Sequence, residues 1–289
     1  VSSEFADLHL HTVASDGTDT VQQRVEDAKK SGLKCIAITD HDIVSKELGK
    51  QRFRTKNGVE VITGAEIKSE IKGTKIEILG YFLDPTDQLL QSLVKKNKEY
   101  RRERMKKMIK KVNTILNSDI GFDELRSKVN GNVGRPHLAQ ELVDNGLAKT
   151  QNEVFQKYIG TDCECYVSTQ KIDAKKVIRT IHQNGGVTVL AHPGRNLDKQ
   201  NAGMIVEELI GMGLDGIEVE YTYRHKIQDG YKINFTEVYS SELAEKNDLL
   251  ISGGSDCHGQ NSNKYNIGKI KLPYRRVKEL RERAKSYRN

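Results

Sequence analysis

Potential ligand side chains recur at short spacing along this chain. Asp7-Leu8-His9-Leu10-His11 sets two imidazoles two residues apart, Asp16 follows, and Thr39-Asp40-His41 repeats the pairing of acid and imidazole. Gly64-Ala65-Glu66, Ala191-His192-Pro193 and Ser255-Asp256-Cys257-His258 supply more of the same residue types. An isolated histidine is more often structural than a ligand, so no single one of these decides anything. Together they make accident a poor explanation. Mixed imidazole and carboxylate donors suit Zn, Mn or Fe, and the set is too large for one ion. The chemistry expected is that of a cluster of two or three divalent metals.

Such a cluster needs elements that bring distant residues to one place. Short β-branched runs recur, among them Lys34–Thr39, Val59–Thr63, Lys75–Leu79, Val187–Ala191, Gly216–Glu220 and Leu249–Ser252. Helical patterns at Val21–Ser31, Ala174–Asn184 and Ala202–Met212 each stop at a glycine before the next run. Helix, glycine stop and buried strand is the alternation of a parallel α/β sheet or barrel. The ligand residues close five of the expected strands, and in a (β/α) barrel those carboxyl ends converge on one face. His9 and His11 project to the same side of a strand, and the same is expected of Asp256 and His258.

From Pro85 to about Val167 no strand pattern is evident. Leu89, Leu93, Tyr100, Met105, Met108, Ile109, Val112, Ile115 and Leu116 fall near helical spacing, predicting one long amphipathic helix. Shorter helices are expected at Phe122–Val129, Pro136–Asn145 and Gln151–Ile159. The expected domains are therefore a barrel over 1–84 and 168–289, with an all-helical insert over 85–167 that contributes to a substrate cleft.

Composition narrows the class. The chain has 289 residues, no Trp and a net charge of +7. No apolar run approaches the ~20 residues of a membrane helix. The N-terminus has no basic or apolar signal region. A cytoplasmic protein without a signal peptide is the expectation. Four cysteines make no disulfide framework, and the lone Cys163-x-Cys165 pair is a poor zinc site. Lys95–Lys111 holds ten basic residues against Glu99 and Glu103, and Arg275–Arg288 holds seven against two acidic. Such basic stretches fit a polyanionic partner or, more simply, solvated helix faces.

The motifs resemble those of the PHP (polymerase and histidinol phosphatase) family of metal-dependent phosphoesterases over nearly the whole chain. Asp7–Gly17, Ile38–Asp42, Gly64–Glu66, Ala191–Gly194 and Gly254–Gly259 look like its successive motifs. Gly134-Arg135-Pro136-His137-Leu138-Ala139 looks like the insert signature of the branch acting on nucleoside 3′,5′-bisphosphates and RNA 5′ ends. The resemblance implies a distorted (β/α)7 TIM-like barrel and a trinuclear centre. The first ion would use His9, His11, Glu66 and Asp256. The second would share Glu66 and use His192, and the third would use Asp16, His41 and His258. One position departs: the family often has a histidine where this chain has Glu77, before Ile78-Leu79-Gly80-Tyr81. As an oxygen ligand Glu77 would favour Mn or Fe over Zn; otherwise the second site is weak or empty.

Hydrolysis of a phosphate monoester of a nucleotide then follows. Bridging metals bring the pKa of a bound water to about 7 and clamp phosphoryl oxygens for in-line attack, so a metal-bridged hydroxide is the expected nucleophile. No protein nucleophile is required, and Cys257 is expected only to pack. Arg135 is the first candidate for a phosphate clamp, with His137 binding phosphate or protonating the leaving oxygen and Arg195 as a second clamp. Asp40 is expected to orient His41 from behind. His182 reads as a helix-end cation and His225 as part of a polar loop, while Glu218 and Glu220 match no ligand motif. The same site would serve a 5′-3′ exoribonuclease acting on short RNA. A metal-stabilised binding module without catalysis is the alternative of another class, and a histidinol-phosphate phosphatase the remaining one.

Overall fold

The computed structural model describes residues 4–129, 133–228, 232–262, 264 and 266–288. The chain divides into two compact units, Val1–Lys95 with Ile172–Asn289, and Lys96–Lys171.

The first unit is built on ten strands: β1 Phe5–Leu10, β2 Cys35–Ile38, β3 Phe53–Lys56, β4 Val59–Ile71, β5 Thr74–Tyr81, β6 Ile172–Asp173, β7 Val187–Leu190, β8 Gly216–Tyr221, β9 Leu250–Gly254 and β10 Leu272–Pro273. They form one mixed sheet in the order β10-β1-β2-β4-β5-β7-β8-β9, with β3 and β6 joined to β4. The sheet curls into a nearly closed barrel because β9 returns beside β1. The His11 amide donates to the Cys257 carbonyl at 2.9 Å. A Cβ at Gly254 would stand 2.3 Å from the His9 nitrogen, so only glycine permits this closure. Leu8, Ala37, Ile62, Leu79 and Val189 fill one buried cluster, and helix Val21–Lys30 lays Val21, Val25 and Ala28 against Ile36, Ile38 and Val61 in another.

The α/β barrel matches the sequence expectation, but the sheet is not all parallel. β5 runs antiparallel to both β4 and β7. Lys72 and Gly73, at φ 47° and 78°, make a tight two-residue turn between β4 and β5. That connection returns the chain antiparallel, whereas a parallel neighbour needs a long crossover. The expected run Val59–Thr63 is thus only the first part of a 13-residue strand.

The described residues of the second unit contain helices and no strand. Helix Gln88–Leu116 runs into it, followed by Phe122–Ser127, Arg135–Asp144, Gln151–Val154 and a π-helical turn Phe155–Ile159. Met105, Met108, Val112, Leu138 and Leu142 form its buried core. Among the described residues no helix is long and apolar enough to cross a membrane.

One local expectation is corrected. His225 lies in helix Tyr223–Gln228, not in a loop. The Arg275–Arg288 stretch belongs largely to helix Tyr274–Ser286 and is partly spent on anchoring. Arg281 pairs with Glu60, and Arg283 donates to Asp215 at 3.0 Å.

Candidate metal centre

Alternation along β1 turns Asp7 and His9 to the same side, and His11 continues the series one residue past its end. All three are fully buried. His9 Nε2 lies 3.5 Å from Glu66 Oε2 and 3.7 Å from Asp256 Oδ1, while His11 Nε2 lies 3.5 and 3.2 Å from the same two atoms. Glu66 comes from the middle of β4, not from the strand end expected, and an isolated bridge pairs it with His41, three residues past the end of β2. His192 Nε2 sits 2.8 Å from Glu66 Oε1 and 3.4 Å from Glu77 Oε2. On the other side, Asp16 lies 3.7 Å from His41 Nε2, 3.5 Å from His258 Nε2 and 3.8 Å from His11 Nδ1.

All nine residues expected as ligands therefore meet in one place. Four ligand groups can be drawn there: His11 with Asp16, His41 and His258; His9 with Glu66 and His192; His9 with His11 and Asp256; and His41 with Glu66 and Glu77. His11 faces two groups through its two nitrogens, which the residue order does not disclose. Asp256 and His258 get there by a route other than the one expected. They lie beyond the end of β9, and Asp256 adopts φ 53°, so a left-handed turn and not strand alternation aims them inward.

Buried polar atoms in folded proteins normally have hydrogen-bond partners. Here His9 Nε2, both His11 nitrogens, His41 Nδ1 and Glu66 Oε2 are buried without one. His41 Nδ1 is only 2.7 Å from Glu66 Oε2, yet the two are not aligned as donor and acceptor. Lone-pair donors crowded in this way fit cations better than they fit each other.

The surrounding residues set which atoms face inward. Glu218, missed in the sequence, accepts from His9 Nδ1 at 2.9 Å and from the His192 backbone N–H at 2.7 Å. With Nδ1 bonded outward, His9 turns Nε2 toward the cluster, the arrangement that fixes metal-binding histidines. His258 does likewise by donating Nδ1–H to the Asp256 carbonyl at 2.9 Å. Tyr221 and Arg195 both donate to Asp256 Oδ2, at 2.7 and 3.2 Å, leaving Oδ1 to face His9 and His11. Arg195 is thus in the cluster, engaged by a carboxylate. Asp40 does not orient the His41 ring. Its oxygens accept from the Thr12 amide and hydroxyl and from Ser15, and so brace the turn that carries Asp16.

Electrostatics follow from this crowding. Burial by itself pulls His9 down, but the carboxylates of Glu218 and Glu66 outweigh it and hold the imidazole well above its ordinary 6.5. The proton held there is what a cation would displace. His11 is pushed down to about 3 by burial and by its neighbours His258 and His41. Burial raises Glu66 and Asp256, yet the surrounding histidines keep both well below the usual carboxylate range. The carboxylates are thus charged and His11 is neutral at pH 7, as ligands must be.

Arg135 and His137 belong to the helical unit. The Arg135 guanidinium stacks on Phe155 and Tyr166, 5.5 Å from each ring, and donates to the Ile159 carbonyl at 3.3 Å. His137 accepts from the Gly134 amide at 2.9 Å, closing the first turn of its helix. Cys257 is fully buried and accepts from Arg24 at 2.9 Å; His182 is held by Asp215 at 2.8 Å.

The PHP domain family matches residues 7–170. The chain is 32% identical over 255 residues to a 5′-3′ exoribonuclease of Salmonella typhimurium, covering 87% of this chain and 84% of that one. It is 27% identical over 264 residues to a 3′,5′-nucleoside bisphosphate phosphatase of Chromobacterium violaceum, covering 91% and 90%. A Bifidobacterium adolescentis structure assigned to the metal-dependent phosphoesterases superposes with a TM-score of 0.74 at 28% identity, covering 97% and 96%. Fold and site together define a metal-dependent phosphoesterase. The chain belongs to the PHP domain family.

Proposed function

We propose that this protein removes phosphate from a nucleotide, either a nucleoside 3′,5′-bisphosphate or a mononucleotide. The observation that carries the reading is the set of buried, unpartnered nitrogen and oxygen atoms from His9, His11, His41 and Glu66, on separate segments of the barrel, all turned to one point. The relatives named for nucleotide and RNA substrates support the choice of ester.

Two or three divalent ions would be held by His9, His11, Glu66 and Asp256, by Glu66, His192 and Glu77, and by Asp16, His41 and His258. Oxygen donors in each group favour Mn, with Fe or Zn as alternatives. Such ions supply Lewis-acid neutralisation of the phosphoryl oxygens and an activated water. The chain's own residues do the rest. Glu218 and the Asp256 carbonyl keep His9 and His258 aimed inward, and Tyr221 with Arg195 keeps Asp256 turned. Arg135, with a guanidinium 5.5 Å from the Phe155 and Tyr166 rings, is proposed to bind a substrate phosphate, and His137 Nε2 to bind phosphate or donate a proton to the leaving oxygen.

The test is phosphate release by Mn-loaded protein from adenosine 3′,5′-bisphosphate, beside a 5′-phosphorylated short RNA and histidinol phosphate, with a His9→Ala/Asp256→Ala double variant as the blank. Release from the bisphosphate alone establishes the reading. Shortening of the RNA adds the exoribonuclease activity that the S. typhimurium relative's name supports. Silence on all three, with metal bound, overturns it in favour of a binding module.

A further inference from the structure

The unusual ligand position has a partner. β4 and β5 pair antiparallel with Lys68 directly opposite Glu77, so both side chains rise from the same face of the hairpin. Lys68 Nζ lies 3.5 Å from Glu77 Oε1, whereas Glu77 Oε2 faces His192 Nε2 at 3.4 Å. The Lys68 ammonium thus engages one carboxylate oxygen, which also stands 3.9 Å from His41 Nδ1, and leaves the other to His192. The base of Lys68 is itself fixed, because its amide donates to Asp42 Oδ1 at 3.1 Å. Asp42 in turn donates its amide to the Glu66 carbonyl at 2.9 Å.

We infer that Lys68 is a positioning residue for Glu77, holding one oxygen so that the other is offered as a single hard donor beside His192 and Glu66. This inference rests on the ligand set proposed above. A histidine at position 77 would bring a neutral nitrogen. Glu77 alone would add a negative charge to a cluster that already holds Glu66, Asp16 and Asp256. With Lys68 the pair is neutral as a histidine is, yet its donor is oxygen. A carboxylate with one oxygen tied also loses the freedom to chelate through both or to swing toward solvent. The chemical consequence is a second cation position that prefers an oxygen-seeking ion such as Mn²⁺ over Zn²⁺.

The experiment is direct titration of the full chain, stripped of metal, with Mn²⁺ and separately Zn²⁺. Calorimetry gives affinities, and elemental analysis gives ions per chain. Lys68→Met is expected to weaken Mn²⁺ at one position about tenfold, which is about 1.4 kcal/mol, and to narrow the margin of Mn²⁺ over Zn²⁺. Lys68→Arg should restore both to within about twofold, since it returns the cation. In a Glu77→Gln background, Lys68→Met should do nothing further. Unchanged or tighter Mn²⁺ binding by Lys68→Met overturns the inference, and so does an equal loss in the Glu77→Gln background. His192→Ala separates this from the reading beneath it. If that variant keeps the full metal content, the ligand set itself is wrong. If it loses an ion while Lys68→Met changes nothing, only the role of Lys68 falls.

Discussion

Glu218 Oε1 lies 2.9 Å from His9 Nδ1, and the same carboxylate's other oxygen accepts the amide of His192. One buried side chain thereby fixes the ring of one expected ligand and the backbone of another, whose rings stack 5.5 Å apart. Removing its charge while keeping its shape, in Glu218→Gln, is expected to cost about ten- to a hundredfold in metal affinity, the usual effect of disturbing a histidine's outer partner. Calorimetric titration with Mn²⁺ measures it. Glu220→Gln, two residues on and exposed, is the control expected to change nothing.

Metal removal should be read in stability as well as activity. Cations that bind the folded cluster and not the unfolded chain stabilise by about 2.7 kcal/mol per site at a hundredfold excess over Kd. For a chain of 289 residues that corresponds to a rise in Tm of roughly 4 to 5 °C per site. A thermal melt with Mn²⁺, then with excess chelator, is expected to show that difference. The His9→Ala/Asp256→Ala variant should show little of it. Identical melts with and without metal would contradict the clustering of unpartnered donors as a cation site.

Behind the His258 segment lies a buried charge group whose disruption should unfold the barrel rather than merely silence it. Arg24 is fully buried between Asp19 and Asp27 and donates to Cys257 Sγ at 2.9 Å. Those two aspartates also accept from the amide and side chain of Gln260, at 3.0 Å each. Arg24→Met leaves buried carboxylates without their cation, an error that typically costs about 3–5 kcal/mol. Urea unfolding should show it, whereas Cys257→Ala, which removes only the weak acceptor, should cost much less.

At the opposite end of the barrel strands, Asp215 gathers the C-terminal helix. It accepts from His182, Thr188, Arg283 and Tyr287, the last at 2.6 Å. Burial by itself would raise this carboxyl, but the hydrogen bonds from His182, Tyr287 and Thr188 outweigh it and hold it below its ordinary 3.8. The unfolded chain then takes up a proton before the folded one does. The contribution of Asp215 is therefore complete above pH ~4 and lost as pH falls through the lower folded value. The stability difference between wild type and Asp215→Asn should be constant near neutrality and shrink on acidification. Urea midpoints between about pH 3 and 7 test this, and a difference that grows toward acid would contradict it.

The sequence by itself carried the alternation of buried strand, helix and glycine stop, and with it the barrel. It also placed His9, His11, His41, His192 and the Asp256–His258 pair near strand ends, because apolar runs are local and end where polar residues begin, whereas Glu66, expected at such an end, lies inside the 13-residue β4. Glu218 could not be read in this way. It shares β8 with Glu220 at i, i+2, which in a regular strand puts both on one face. A register shift between them against β9 leaves Glu218 buried and Glu220 exposed. The antiparallel β5 was equally hidden, since a turn at Lys72-Gly73 determines strand direction and hence that Lys68 stands opposite Glu77. The inward aim of Asp256 depends on a left-handed turn held after β9 by the return to β1. Residue types and strand ends are properties of neighbours in the chain, whereas bulges, hairpin register and barrel closure are settled between segments up to some 250 residues apart, as Ser255 bonded to Asp7 shows. Only the tertiary structure decided which oxygen and which nitrogen faces the centre.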